Sequence, residues 1–505
     1  MGNLAQIFLQ QCNDEVAIRT ADDSLTYAEL NQKVRQISTE LSALQCQRVA
    51  FIAKNSIGWI ALDLALFDHG ITSLPLPTFF SDEQIFHSLN QASIDLIIFE
   101  EAYLDKFLTQ SKIAHVGSAH TLKCLPNLYY LKLKPESQNA LPQGTQKITF
   151  TSGSTASPKG VCLSAEHQLK VASSLVVAVN VESPVHFSFM PFSTLLENIA
   201  GIYASFMCGG CVYLSDTVND LLFSPKSSDR TQLPSLLMTL FQELHQIQPN
   251  TTILVPQLLK LLLQAVHQGM ALPTSFSFVA VGGGKVSADL LNQARQLNLP
   301  VYQGYGLSEC GSVVALNASL QDPIDSVGKI LPHCEVSIVD GEIVVRNSTN
   351  LGYVGDPNSW TALSDPVYTG DIGELKDGYL YISGRKKNTL VLSNGRNVNP
   401  EWVESELEKF PFVVRALVLG EAKPYLSAAL EIVDVGIPVE HLQQQLLSIN
   451  EHLPIYAQVK QFTCLSKQQW QPYLTYNGRI NRISFTQNNE SLIDALYNES
   501  VTELT

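Results

Sequence analysis

An α/β fold spread over more than one domain is what three features of this sequence predict. The chain has 505 residues. Short apolar runs alternate with helix-period segments over its first two thirds, and the texture changes beyond about Ser326. A chain of this length exceeds what one ordinary core organises, so two or more domains are expected. Hydrophobic residues make up 45% and charged residues 16%, a composition that packs well and leaves little room for disorder.

Leu25–Leu41 carries apolar residues at spacings of three and four and predicts a helix. Arg48–Ala53 predicts a buried strand, Trp59–Phe67 a helix and Leu96–Phe99 another strand. Strands alternating with helices build parallel sheets covered by helices on both faces. The alternation returns at Thr251–Val266 (strand, then helix), Phe276–Val281 (strand) and Ala288–Leu297 (helix). Further on, Glu335–Val339 and Gly341–Arg346 alternate around Asp340-Gly341, a hairpin signal. Tyr379–Ser383 predicts a strand after the turn Lys376-Asp-Gly378. The stretch after Arg385, roughly 120 residues, falls in the usual range for a separate domain. The expected boundary lies near 385–387, giving domains 1–384 and 385–505.

The 47 acidic and 32 basic side chains give a net charge of −15. On average such a surface repels nucleic acid and anionic membrane, so no nucleic-acid partner is expected. No apolar stretch is long enough for a transmembrane segment; the run around Ile57–Phe67 is broken by Asp63. The first residues lack a basic region followed by an apolar core, and Gln6 stands where a myristoylation signal needs Ser or Thr. A cytoplasmic protein is expected. The nine cysteines are scattered, which suggests a reducing compartment. Cys208-Gly-Gly-Cys211 has no second pair or nearby histidines, so it reads as a turn into the strand Cys211–Leu214 and not as a metal or redox site.

The chemistry is concentrated in Ile148-Thr-Phe-Thr-Ser-Gly-Ser-Thr-Ala-Ser-Pro-Lys-Gly-Val161. A β-like run, Ile148–Phe150, feeds a loop of small hydroxyl residues. Gly153 and Gly160 let backbone approach an anion closely. The amides and the hydroxyls of Thr151, Ser152, Ser154 and Thr155 can cradle phosphate oxygens, and Lys159 adds a compact positive charge. A Walker loop is excluded, because no Gly-Lys-Ser/Thr follows the first glycine at the required distance. A flexible linker is the alternative, but linkers rarely follow a strand directly.

This segment resembles the phosphate-binding signature of the acyl-adenylate-forming (AMP-binding) superfamily, with Ser154 and Ala156 as departures. Further segments resemble the family's motifs in the family's order. Val279-Ala-Val-Gly-Gly-Gly-Lys285 is similar to the strand and turn that line adenine, through Gly282, Gly283 and Gly284. In Tyr302-Gln-Gly-Tyr-Gly-Leu-Ser-Glu309 the resemblance implies adenine stacking by Tyr305 between Gly304 and Gly306, phosphate contact by Ser308, and Mg²⁺ held by Glu309, an oxygen ligand for a hard cation. Tyr368-Thr-Gly-Asp-Ile-Gly373 supplies Asp371 for the ribose hydroxyls. Tyr381-Ile-Ser-Gly-Arg-Lys-Lys-Asn388 supplies Arg385 for ribose or phosphate and Lys387 as hinge. Val391–Glu404 resembles the segment that helps form the thiol tunnel and is most similar to fatty acyl-CoA synthetases. Leu474–Arg482 aligns with the last motif. There Arg479 replaces the lysine that bridges substrate carboxylate and α-phosphate, keeping the charge but not its shape.

The resemblance implies a large N-terminal domain of doubly wound sheets with a small β-rich subdomain, and a small mobile α+β C-terminal domain. It implies ATP and Mg²⁺, a small-molecule carboxylic acid, and coenzyme A or the phosphopantetheine of an acyl-carrier protein. The expected catalytic set is Lys159, Glu309, Lys387 and Arg479. In Phe189–Gly201, Ser193 occupies the place of the aspartate that pairs an amino acid's ammonium, which disfavours amino acids. Phe192, Ser193 and Leu195 then point to an apolar acid, with a medium- or long-chain fatty acid expected. Two alternatives stay open: an acyl- or aryl-acid ligase loading a carrier protein, and a degenerate protein that binds nucleotide without turnover.

Overall fold

The structure is a computed structural model that describes residues 14–109, 114–151, 159–223, 233–284, 286–410, 412–433, 439–474 and 479–498. It divides into two compact units: Met1–Val336 with Val345–Val367, and Ser337–Val344 with Tyr368–Thr505.

The first unit opens with the hairpin Val16–Arg19/Ser24–Thr26 and the helix Tyr27–Leu44. Thr26 caps that helix in a capping box with Glu29, satisfying amides that have no intrahelical partner. Leu30, Val34, Ile37 and Leu41 are buried along one stripe, the spacing the sequence predicts. Arg48–Ile52 pairs in parallel with Thr72–Pro75 and Leu96–Glu100. Around this parallel centre the eight-stranded sheet is mixed. Leu128–Leu133 pairs antiparallel with Leu96–Glu100, and Lys159–Ser164 folds back antiparallel on Thr145–Thr151.

A second sheet in this unit carries the parallel run Val16–Arg19, Cys211–Tyr213, Val185–Phe187, Thr251–Leu254, Phe278–Val281 and Val301–Tyr305. The short antiparallel strands Ala315–Leu316 and Lys329–Ile330 follow. The α/β expectation is met, with antiparallel margins added to parallel centres. The helix Ile57–His69 is buried at every position from Trp59 to Phe67, as a helix packed on all sides must be. It shares one core with residues of both sheets, among them Phe51, Ile98, Val161, Val212 and Phe278.

In the second unit, Val367–Lys376 and Tyr379–Arg385 form a hairpin. Asp377 and Gly378 both have positive φ (52° and 81°) at its turn, as do Asp340 and Gly341 (50° and 80°). Positive φ at both central residues suits a two-residue hairpin loop, and Asp-Gly meets it at low cost. A three-stranded sheet, Val413–Leu419, Leu426–Ile432 and Val459–Cys464, shares a core with the helix Pro400–Leu407 through Val403, Leu407, Val418 and Leu426. Trp470 stacks on Phe485 at 5.2 Å nearby.

Two imidazoles, His167 buried and His333 half-buried, make the first unit acid-sensitive. His167, on the helix Ala165–Val179, lies 2.7 Å from the Ser348 hydroxyl. Burial first, then the charge of His333, hold it down to about 4; burial holds His333 down to about 4 as well. The unfolded chain protonates both near 6.5 and so binds more protons between those values. Stability is therefore complete above 6.5 and is lost as the pH falls towards 4, by about 3 kcal/mol per imidazole. Urea midpoints at pH 7.5 and pH 5 are expected to differ accordingly, and His167→Gln is expected to shrink the difference.

Candidate active site

Strands of a parallel run all finish on one side of their sheet, where ligands of α/β proteins gather. Phe278–Val281 finishes in the turn Gly282–Gly284, where Gly283 has φ +77°. The neighbouring strand Val301–Tyr305 finishes beside it, with Val281 opposite Gln303. A Cβ on Gly282 would lie 3.7 Å from the Gly304 carbonyl oxygen, so the glycine turn and the Tyr302–Glu309 segment run side by side. Gly306 has no room for any side chain: a Cβ would sit 1.8 Å from the Ser312 carbonyl oxygen. The short helix Ser308–Cys310 follows, with Ser308 and Glu309 half-buried and Cys310 fully buried.

Lys159 opens the strand Lys159–Ser164 opposite Thr151 and is exposed. Its Nζ lies 5.3 Å from the ring centre of Tyr353, and the Tyr353 hydroxyl donates to Glu309 Oε1 at 3.1 Å. The amide of Asn350 donates to the Glu309 carbonyl at 2.6 Å. Two residues picked from separate motifs, Lys159 and Glu309, thus meet on one tyrosine. Burial, then the charge of Glu309, push the Tyr353 hydroxyl up, so it stays a donor at neutral pH. Tyr353 was missed from sequence, because nothing in its own neighbourhood marks it. It reaches the site by the pairing of Gly352–Tyr353 with Lys159–Ser164, Tyr353 opposite Val161. Ser152, Gly153, Ser154 and Thr155 lie outside the described residues, and of Thr151 only the backbone place at the strand end is described.

In the second unit the hairpin register sets Asp371 opposite Arg385. Arg385 Nε donates to Asp371 Oδ1 at 2.8 Å. Asp371 is buried, while the Arg385 side chain is 46% exposed, so this pair is partly screened by solvent. Glu342 accepts from the Gly370 amide and from Lys386 Nζ, both at 2.9 Å. Thr369, Gly370, Arg385, Lys386 and Lys387 line an open cavity of about 320 Å³. Burial, then repulsion by Arg385, hold Lys387 below the usual lysine range, against the attraction of Asp371 and Glu401; Arg479 also lowers it. Arg479 is exposed and close enough to Lys387 to be felt electrostatically.

Phe192 is completely buried, its ring 5.4 Å from that of Trp59 and its amide donating to Asn55 Oδ1 at 2.9 Å. Ser193 and Leu195 are also buried. Leu196 is only half-buried, and its Cδ2 would lie 3.8 Å from a Cβ on Gly282. Leu196 is therefore the side chain of this segment that reaches the glycine turn.

The model of the AMP-binding enzyme family matches residues 6–354. This chain belongs to that family. The model of the AMP-binding enzyme C-terminal domain matches residues 387–501. The 2-succinylbenzoate–CoA ligase of Bacillus cytotoxicus is 26% identical over 81% of this chain and 83% of its own. The long-chain-fatty-acid–CoA ligase FadD15 of Mycobacterium bovis is 26% identical over 81% and 77%. The o-succinylbenzoate CoA synthetase of Bacillus subtilis, solved with its acyl-adenylate intermediate, superposes with a TM-score of 0.76 at 20% identity, over 96% of this chain and 98% of its own. A structure of that enzyme with ATP and magnesium ion gives 0.73 at 20% identity, over 95% and 98%. Among the described residues no helix is long and apolar enough to cross a membrane, and no cluster of three or more His, Cys, Asp or Glu could hold a metal ion by itself.

Gly306→Ala tests the close approach in this AMP-binding enzyme. The new methyl meets backbone, which cannot step aside as a side-chain end can. A loss of about 1–3 kcal/mol or more in stability is expected in urea unfolding, with weakened ATP binding in calorimetry.

Proposed function

We propose that the chain activates an apolar carboxylic acid with ATP and transfers the acyl group to coenzyme A. The observation that carries this reading is the meeting of Lys159 and Glu309 on Tyr353. It is joined by the glycine turn Gly282–Gly284 lying against Gly304. A cation over one tyrosine ring and a carboxylate on that tyrosine's hydroxyl, next to a glycine-lined surface, suit a triphosphate and a flat base.

In the first half-reaction a carboxylate oxygen attacks the α-phosphorus, the bond to the β-phosphate breaks, and pyrophosphate leaves. In the second, the thiol sulfur attacks the acyl carbon and AMP leaves. Neither step needs a protein nucleophile, so positioning and charge carry the catalysis. Lys159 supplies positive charge to the phosphates, Tyr305 stacks on adenine, and Ser308 donates to phosphate. Asp371, held by Arg385, receives the ribose hydroxyls. Arg479 provides the charge shared by the carboxylate and the α-phosphate. Glu309 is the residue that would hold Mg²⁺; one carboxylate beside phosphate oxygens suits that ion, which would neutralise phosphate charge. Relatives named for 2-succinylbenzoate and for long-chain fatty acids support a carboxylic acid that carries no ammonium group. Ser193, in the place where amino-acid-activating members carry an aspartate, supports it too.

Acid-dependent exchange of pyrophosphate into ATP, measured with straight-chain fatty, aryl and amino acids, tests the reading. Strong exchange with an apolar acid is expected, falling by roughly 10²-fold or more in Arg479→Ala and largely kept in Arg479→Lys. No exchange with any acid, with ATP still bound, would favour a nucleotide-binding protein without turnover.

We further propose that Lys387 is the hinge about which the C-terminal segment reorients between half-reactions. The segment's own family model begins at this residue. Lys387→Pro is expected to slow thioester formation, followed by thiol consumption, while leaving pyrophosphate exchange nearly intact. Equal losses in both would count against a hinge.

A further inference from the structure

Deep in the first unit lies a charged cluster that the proposed chemistry does not use. Lys147 and Asp63 are both about 1% exposed and form an ion pair at 2.9 Å. Lys147 belongs to the strand Thr145–Thr151 and Asp63 to the buried helix Ile57–His69. Two further side chains complete the cluster, both from the segment Glu197–Tyr203. Asn198 Nδ2 donates to Asp63 Oδ2 at 2.9 Å, and the Tyr203 hydroxyl donates to the same oxygen at 2.7 Å. Lys147 Nζ donates to Asn198 Oδ1 at 2.5 Å and to the Tyr203 hydroxyl at 3.0 Å.

Glu197–Tyr203 is a π-helix, a rare form that usually occurs as a single widened turn within an α-helix. Asn198 and Tyr203 stand five residues apart. On an α-helix five residues span about 500°, so these side chains would point about 140° away from each other. On a π-helix, where i bonds to i+5, they share a face. Only the wide turn lets both reach one oxygen of Asp63. A second contact fits the same turn. Glu197 Oε1 lies 3.1 Å from His186 Nε2, His186 Nδ1 lies 3.2 Å from Thr251 Oγ1, and a Cβ on Gly201 would come within 2.8 Å of His186.

The wide turn has a consequence at the site. Leu195 and Leu196 precede it and Ala204–Met207 follow it in one continuous helix. Ala204 and Phe206 are anchored in the core. Closing the π turn to an α turn would remove one residue's offset. Leu195 and Leu196 would then rotate by about 100° relative to the anchored end. Leu196 is the side chain that stands against Gly282.

We propose that Asp63 and Lys147 form a buried clamp that holds 197–203 in the π register and so places Leu196 at the wall of the acid pocket. The pair positions and does not touch substrate. This rests on the acid-activating reading above, in that the acid is expected against the segment that carries Phe192, Ser193 and Leu195, which Leu196 directly follows. The burial that lowers the Lys147 ammonium's affinity for its proton is opposed chiefly by Asp63, which is why the two charges are kept together.

The test is the double variant Asn198→Leu/Tyr203→Phe, which removes the helix side of the clamp and leaves the Asp63–Lys147 pair intact. Asp63→Leu/Lys147→Met serves as a second variant, since paired apolar replacement of a buried ion pair is often tolerated. A crystal structure of either is expected to have 197–203 as α-helix with Leu196 turned away from Gly282. In pyrophosphate exchange the KM for the preferred acid is expected to rise roughly tenfold or more, with the order of preference among acids changed and the KM for ATP within about twofold of wild type. A π turn that persists without its ligands would overturn the clamp. An α turn with unchanged acid preference, or acid and ATP constants moving together, would overturn the positioning role. A wild type inactive on every acid would sink the ligase reading instead, and the register of 197–203 would still decide the clamp.

Discussion

Parallel strands have to deliver their ends to the same side of a sheet, and the first unit is arranged around that constraint. Val185–Phe187, Thr251–Leu254, Phe278–Val281 and Val301–Tyr305 lie side by side in parallel. Whatever follows each strand therefore arrives at a common edge. The segment 188–196, the turn Gly282–Gly284 and the turn Gly306–Glu309 are far apart in the chain and adjacent in space for this reason alone. Glycine is demanded where backbones then crowd, as at Gly306 against Ser312. Once one face of a sheet is committed to a core, register is fixed, because a slip of one residue would exchange inside for outside.

Much of the fold was legible because it follows periodicity and turn chemistry. The helices near Leu30 and Ile60, the strand at Arg48, the hairpin at Asp340-Gly341 and the turn at Asp377-Gly378 fall where apolar spacing and positive-φ residues put them. Boundaries moved by a few residues, as at Phe278–Val281, expected from Phe276. Long-range pairing was not legible. Tyr353 joins Lys159 and Glu309 through a two-residue strand, Gly352–Tyr353, too short to carry a pattern. The antiparallel strands Ala315–Leu316 and Lys329–Ile330 are as short; Leu128–Leu133 is longer, and its antiparallel pairing, like every long-range pairing, is not written in local pattern. Of the candidate site, the glycine turn and the Tyr305–Glu309 segment come together, and Asp371 meets Arg385. In the segment expected to meet the acid, Phe192, Ser193 and Leu195 are buried, and the half-buried Leu196 faces the glycine turn. A π turn leaves no mark in a sequence read at 3.6 residues per turn, so its offset could not be anticipated.

Asp63 illustrates how one residue reads differently in two contexts. In the sequence it interrupts an apolar run. In the fold that interruption is buried on a helix between two sheets, where an isolated charge would be costly. Lys147, Asn198 and Tyr203 converge on it from two other elements, and each polar atom they bring narrows the arrangements open to the rest. An apolar residue at position 63 would pack in several ways; a carboxylate with three named donors allows few. Such groups contribute uniqueness more than net stability, and here the uniqueness extends to the helix that borders the glycine turn.

The burial of Cys310 bears on the enzyme's durability. An acyl-adenylate is an indiscriminate electrophile, and a thiolate within reach would capture the acyl group and end that molecule's working life. Cys310 directly follows Glu309, yet it is fully buried. Burial first, then the charges of Glu309 and Cys334, push its thiol well above the ordinary range. Protonated and walled off, it is a poor nucleophile. The same helical turn that carries the half-buried Glu309 turns its sulfur-bearing neighbour into the core.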